Sequence, residues 1–140
     1  LAKKLKEQKI NLYTLLNFEM LGVPFIDRDY EVFLTGYELS NLGDKLNAYT
    51  NSTLFGCSDV ATKYNLFSRS DNYSFYTQFK VPCHTISSCD LTNFDFYHHV
   101  DDEIDKFDSA FMAEIINKLI PGIIKICNTY SKEIKMYETN

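Results

Sequence analysis

Apolar residues cluster in three runs along the chain, and each run has the length and composition of a β-strand. Residues 10–18 are mostly apolar, with aromatic and β-branched members, which predicts a strand buried on both faces of a sheet. Residues 31–35 predict a second strand, closed by Gly36. Residues 81–87 predict a third, in which Pro82 suits a strand start or a sheet edge because proline cannot donate a backbone hydrogen bond.

Helical patterns lie before and between these strands. Residues 2–8 are rich in lysine and resemble the end of a helix, where cations suit the negative pole of the dipole. Residues 40–49 carry apolar side chains at helical spacing after a possible N-cap at Ser40, which predicts an amphipathic helix. Ser58 could cap a short helix over residues 58–64. Strands that alternate with helices indicate an α/β fold.

The last third of the chain carries its longest helical period. Apolar residues recur at helical spacing over residues 107–130, and we expect Pro121 to kink or split this helix. Residues 67–79 are harder to assign because they mix Ser, Arg, Asp and Asn with five aromatic residues. That mixture predicts a structured loop, which either lines a site or packs its aromatic rings beneath a long connection.

Composition and charge describe one ordered domain. The 140 residues are 45% apolar and 24% charged, which suffices for a single core. The net charge of −5 is spread along the chain without a basic stripe, which argues against nucleic acid or an anionic membrane as partner. No run approaches the roughly 18 apolar residues of a membrane span. The chain opens on Leu1 in mid-pattern, so we expect a removed upstream segment.

The four cysteines match neither a metal motif nor a dense disulfide framework. Cys57, Cys83, Cys89 and Cys127 are too irregularly spaced for either pattern. We therefore expect buried thiols, with a Cys83–Cys89 disulfide as the alternative if the compartment is oxidising.

Candidate metal chemistry is concentrated in residues 97–103, which hold two histidines and three carboxylates. Neutral imidazole is a good zinc ligand, and nearby carboxylates can complete the shell or orient the ring. A surface loop that caps the following helix would show the same composition. Glu19 is a second candidate because it follows a predicted buried strand, where open α/β sheets bind ligands, although it could be a plain strand-end residue. We expect His84 to be a satisfied core histidine.

Five segments together resemble the C-terminal half of the M28 zinc aminopeptidases. They match in order and spacing over about residues 5–130, and they are residues 17–22, 33–38, 67–75, 81–87 and 97–103. The resemblance implies an α/β fold with a central mixed sheet flanked by helices. It also implies two zinc ions held by five protein ligands, with a glutamate as general base.

The resemblance assigns metal ligands to two positions. Glu19 falls on the acidic ligand after the strand, and His98 falls on the last histidine ligand. The family's Tyr-His-Thr-Pro-x-Asp-Thr motif departs here, with His99 in place of Thr, so His99 stays open as the ligand. Ser70 matches a serine that hydrogen-bonds the histidine ligand in relatives, and Asp102 keeps the motif acid.

Further matched positions concern the substrate. Tyr97, Phe75 and Asp71 lie where the pocket for the substrate's N-terminal side chain is expected, and Asn72 replaces a histidine that is more usual after Asp71. The resemblance implies that the substrate is a peptide. A periplasmic or secreted location is also favoured by the resemblance.

The chain lacks part of the family's machinery. The family's His-x-Asp segment and Glu-Glu pair lie upstream of the strand that ends at Glu19, and residues 1–18 contain neither. Residues 1–140 thus match the C-terminal part of one M28-like domain, with two of five ligands and no general base. We expect the fragment alone to be inactive and to associate with the upstream part of the same protein or with another copy. A glutaminyl-cyclase-like single-zinc acyltransferase and a non-catalytic binding domain are the alternatives.

Overall fold

A four-stranded mixed sheet forms the centre of the computed structural model, which describes residues 1–129 and 131–138. The strands are β1 (Leu15–Phe18), β2 (Val32–Leu34), β3 (Phe55–Gly56) and β4 (Cys83–Ser87), in the spatial order β1-β4-β2-β3. β1 runs parallel to β4, β2 runs antiparallel to β4, and β3 runs parallel to β2. Because β1 and β4 are parallel, the carboxyl ends of both strands meet at one edge of the sheet.

Within the described residues, five helices surround the sheet. They are α1 (Ala2–Glu7), α2 (Leu42–Thr50), α3 (Asp59–Lys63), α4 (Asn72–Phe79) and α5 (Ser109–Cys127), and short 3₁₀ turns occur at Tyr37–Leu39, Leu66–Arg69 and Ile104–Lys106. α2 and α5 pack together over one face of the sheet, whereas α3 and α4 cover the other and α1 packs on α4. The predicted α/β fold with a central mixed sheet and flanking helices is therefore confirmed.

The two faces of the sheet differ in chemistry. On the α2/α5 face, Leu34 and Ile86 of the sheet pack against Leu46 and Ile115 in the main apolar core. On the opposite face the apolar cluster is small, and Phe33 packs there with Ala61 and Leu66. Polar side chains of β4 share that second face and are fully buried. The second face is thus the one on which polar groups can be organised.

The first predicted strand is shorter and less buried than expected. Its ladder begins only at Leu15, because the partner strand β4 starts at Cys83 and Pro82 precedes it. The Leu15 N–H donates to the Pro82 carbonyl, and so does the hydroxyl of Thr14. β1 also lies at the edge of the sheet, with Phe18 42% exposed, so the prediction of burial on both faces is wrong for the described residues.

Two further predictions need correction. Residues 72–79 form helix α4 rather than a loop, and the inward side chains Asn72, Tyr76 and Phe79 follow helical spacing. α5 continues as one helix through Pro121, at a point where Gly122 packs closely against Leu46 of α2. The predicted end of this helix at residue 130 lies outside the described residues.

The remaining helix predictions are largely confirmed. Ser58 caps α3 by accepting a hydrogen bond from the Ala61 N–H. α2 begins after Asn41 rather than at Ser40, because the Ser40 hydroxyl is used by His84 and by the Leu42 N–H. None of the described helices is long and apolar enough to cross a membrane.

His84 and the buried cysteines are structural. The His84 Nδ1 lies 2.8 Å from the Thr35 carbonyl, which can only accept, so Nε2 accepts from the Ser40 hydroxyl 2.7 Å away. Burial lowers the pKa of His84, which keeps the ring neutral, as expected of a core histidine. Cys83 and Cys89 are free and fully buried, and burial raises the pKa of Cys83 to about 12. The disulfide alternative is therefore not formed. Cys57 and Cys127 are free but exposed, so the expectation of buried thiols is wrong for these two.

Candidate metal and substrate site

Glu19 stands where the carboxyl end of β1 meets the polar face of the sheet. Its backbone N–H still donates to the Ile86 carbonyl, which extends the parallel pairing by one residue. Side chains two positions apart lie on the same face of a strand, so Glu19 shares its face with Asn17. The strand therefore delivers a carboxylate and an amide side by side.

Both oxygens of the Glu19 carboxylate are held by donors. The Asn17 amide donates to Oε1 at 2.7 Å, and the Ser70 hydroxyl donates to Oε2 at 3.1 Å. Ser70 follows the 3₁₀ turn at Leu66–Arg69, so the two donors approach from different parts of the fold. Two hydrogen bonds from opposite sides fix the orientation of the carboxylate.

The same hydrogen bonds continue into the protein interior. Asn17 donates its second amide hydrogen to the Thr85 hydroxyl at 3.0 Å, and Thr85 in turn donates to the Asn72 side-chain oxygen at 2.9 Å. The Asn72 amide donates to the Cys83 carbonyl at 3.0 Å. Asn72 is fully buried and Thr85 is 1% exposed. Asn17, Glu19, Ser70, Asn72 and Thr85 thus form one connected set, called here the Glu19 network.

A small cavity opens beside the Glu19 network, and we call it the strand-end cavity. Its volume is about 50 Å³. Its lining comes from the ends of β1 and β4, from β2, from the turn before α4 and from the loop after β4, and comprises Glu19, Met20, Phe33, Thr35, Leu66, Arg69, Ser70, Thr85, Ser87, Cys89, Leu91 and Tyr97. This is the place in an α/β sheet where a ligand is expected.

The predicted histidine ligand lies next to this cavity rather than inside it. Tyr97 lines the cavity, and His98 follows it with its ring centroid 4.0 Å from that of Tyr97. His98 is exposed and adopts a left-handed backbone conformation with φ of 58°. The His99 Nδ1 lies 3.2 Å from a carboxylate oxygen of Asp101, so Nε2 is the nitrogen that His99 could offer to a metal.

The donors present in the chain do not complete a zinc site. Glu19 suits a metal ligand because its carboxylate is held in place by two hydrogen bonds and the residue lines the cavity, and an exposed imidazole at position 98 suits a second. Within residues 1–129 and 131–138, however, no three His, Cys, Asp or Glu side chains come close enough together to hold an ion. Catalytic zinc takes three protein ligands, so the residues of this chain alone do not fit the metal.

The structure brings together only part of the predicted site. Glu19, Ser70 and Tyr97 share the strand-end cavity. Phe75 stacks on Phe79 within α4 and does not line it, and neither does the exposed Asp71. Asp102 is exposed and borders a separate depression with Gly22, Met112 and neighbouring apolar residues. Ser70 was expected beside the histidine ligand, but in this structure it donates to Glu19.

Three members of the Glu19 network were not predicted from the sequence. Asn17 could have been found, because it lies two residues before Glu19 on a strand and so must share its face. Thr85 could have been placed beside Asn17 only if the register of β4 against β1 had been known. Asn72 was noted only as a departure from the family motif, and its buried position becomes visible only once residues 72–79 are seen to be helical.

The protein has a three-layer α/β fold with an oriented carboxylate at the carboxyl ends of two parallel strands. This is the position at which open α/β sheets bind their ligands. The sequence profile described as Peptidase family M28 matches residues 1–121, and the chain belongs to this family. Membership indicates zinc-dependent peptidase activity in general. Neither the curated proteins nor the solved structures gave a significant match to the chain.

Proposed function

We propose that the intact protein is a zinc-dependent aminopeptidase and that residues 1–140 are the C-terminal part of its catalytic domain. The observation that supports this most directly is the Glu19 carboxylate, held beside a cavity by Asn17 and Ser70. Metal ligands in proteins are typically oriented by such neighbouring hydrogen bonds. In the proposal, Glu19 and His98 hold metal, and the other ligands and the general base lie upstream of this chain.

His98 is preferred to His99 for a structural reason in addition to the motif register. Tyr97 lines the strand-end cavity and His98 is its immediate neighbour, whereas His99 lies one residue further along the exposed loop. The neighbouring Tyr97 would border the bound peptide.

The open edge of β1 supports an upstream partner from the same protein. The N–H groups of Leu15 and Glu19 donate towards β4, so by the alternation of a strand those of Leu16 and Phe18 point away from it. Beside this edge lies a groove lined only by apolar side chains, namely Phe18, Leu21, Ile116, Leu119, Ile120 and Ile123. An added strand would pair with β1 and cover the groove. We assign this surface to the upstream part of the domain, with a second copy of the chain as the competing occupant.

The test uses the full-length protein and a pair of histidine variants. We expect wild type to bind two zinc ions and to hydrolyse N-terminal residues from peptides. His98→Ala should lose at least one zinc ion and about 100-fold or more in kcat/KM, since metal activation supplies several kcal/mol. His99→Ala is the matched control and should keep most of both. Zinc content is measured by elemental analysis and activity with amino-acid anilides.

Three results would contradict the proposal. The ligand assignment is wrong if His98→Ala leaves zinc content and hydrolysis unchanged. One zinc per chain together with cyclisation of an N-terminal glutamine would instead identify the acyltransferase alternative. A mass spectrum that places the start of the native polypeptide near Leu1 would remove the upstream half, and with it the peptidase.

A further inference from the structure

The inner wall of the strand-end cavity is closed by buried side chains. Phe33 is 1% exposed, Cys89 is fully buried and Leu66 is 9% exposed, and all three line the cavity. The outer rim carries the more accessible Glu19, Ser70 and Tyr97. A group that enters past Glu19 therefore meets a wall that belongs to the packed interior.

The volume of the cavity sets the size of that group. The cavity holds about 50 Å³. An apolar cavity that accepts a benzene ring needs about 150 Å³. The available space thus suits a methyl or hydroxymethyl group and is too small for an aromatic ring or a branched four-carbon side chain.

The polar groups of the wall are already engaged. The Thr85 hydroxyl donates to Asn72, and the Ser87 hydroxyl donates to the Cys89 carbonyl while it accepts from the Cys89 N–H. These hydroxyls offer little to a charged or strongly polar side chain, because a buried group is satisfied by the partners it has. Glu19 and Arg69 also line the cavity and carry opposite charges, so size is the property by which we expect selection.

We propose that the strand-end cavity receives the side chain of the substrate's N-terminal residue and selects small residues, with alanine preferred over leucine and phenylalanine. This inference rests on the proposed aminopeptidase function and specifies its substrate class. The size limit can be tested at Cys89, because this residue of the inner wall has a small and fully buried side chain. Burial raises the pKa of Cys89, which keeps the thiol uncharged.

The experiment measures kcat/KM of the full-length protein on the anilides of alanine, leucine and phenylalanine. An extra methylene in a closed pocket changes kcat/KM by about 10- to 200-fold, so we expect alanine to exceed leucine by at least about 10-fold. Cys89→Ala enlarges the cavity and should reduce the alanine-to-leucine ratio several-fold. Cys83→Ala is the matched control, because Cys83 is equally buried but does not line the cavity.

The outcomes separate this inference from the function on which it rests. Hydrolysis of leucine or phenylalanine anilide as fast as that of alanine overturns the size limit and leaves the aminopeptidase intact. Equal changes of the ratio in Cys89→Ala and Cys83→Ala also overturn it. No hydrolysis of any anilide by the folded, zinc-loaded protein overturns the proposed function together with the inference. The wild-type ratio is decisive by itself if Cys89→Ala does not fold.

Discussion

The two residues predicted to bind metal, Glu19 and His98, lie in very different surroundings. Both oxygens of Glu19 accept hydrogen bonds, and one of its donors, Asn17, is itself anchored to the buried Thr85. His98 lies on an exposed loop in a left-handed conformation, beside the ring of Tyr97. One half of the proposed site is thus held by the fold, whereas the other is presented by a loop.

This difference follows from where each residue stands on the sheet. A strand end fixes the backbone direction, and the neighbouring strand supplies Thr85 beneath it. The part of the loop that carries His98 has no such frame, and its side-chain contacts, such as that of His99 with Asp101, are between exposed groups. An active site needs its ligands held closely in place, so we expect the loop to be ordered by the metal or by the upstream part of the domain.

The largest effect on stability is expected where the Glu19 network is buried. Asn72→Ala removes the acceptor of the Thr85 hydroxyl and the donor to the Cys83 carbonyl, and both remaining groups are buried. Unsatisfied buried groups cost about 1–3 kcal/mol each, so we expect the free energy of unfolding of the full-length protein to fall by about 2–4 kcal/mol.

Urea unfolding followed by circular dichroism measures this loss. Gln78→Ala is the matched control, because Gln78 lies on the same helix but is exposed, and it should change the free energy by less than about 0.5 kcal/mol. If Asn72→Ala costs as little as the control, the network does not anchor Glu19 and the contrast with the loop is lost.

An intermediate effect is expected at the rim of the network. Ser70→Ala removes the donor to Glu19 Oε2 and leaves Asn17 as the partner on the other oxygen. Loss of a group that orients a metal ligand lowers metal affinity about 10- to 100-fold. We expect that decrease in the zinc affinity of the full-length protein, measured by competition with a chelating dye.

Ser68→Ala provides the control for this prediction. Ser68 lies two residues earlier in the same turn, and its hydroxyl donates only to the Asn65 carbonyl at an exposed position. The zinc affinity of the Ser68→Ala protein should equal that of wild type. An equal loss in both variants would indicate a general effect of the turn on folding rather than the orientation of Glu19.

The sequence allowed the strand-end position of Glu19 to be predicted, because apolar runs reveal strands and strands have ends. The sequence did not reveal that β1 is an edge strand. An apolar run of this length has the same composition whether the strand has neighbours on both sides or lies at an edge beside the groove next to α5. The Glu19 network escaped prediction for a related reason. Periodicity tells which face a residue occupies, but hydrogen bonds between β1, β4 and α4 depend on the register between distant segments.

For residues 97–103 the opposite holds: the sequence indicated which kind of chemistry the side chains could perform, but not how they are arranged. Two histidines and three carboxylates indicated a metal site by composition alone. A loop has no period from which side-chain directions follow, so the sequence could not tell that His99 pairs with Asp101 or that Asp102 faces a different depression. The motif register assigned His98, which stays a prediction, and the residue before it, Tyr97, lines the cavity.

The smallest effect is expected for Asp101→Asn in this loop. The Asp101 carboxylate lies 3.2 Å from the His99 Nδ1, and the two side chains are 64% and 55% exposed. Exposed ion pairs contribute little, so the free energy of unfolding of the full-length protein should change by less than about 0.5 kcal/mol. The same urea titration as for Asn72→Ala measures it. A loss above about 1 kcal/mol would mean that the loop is held as firmly as the Glu19 network, and the two halves of the proposed site would then no longer differ in how the fold supports them.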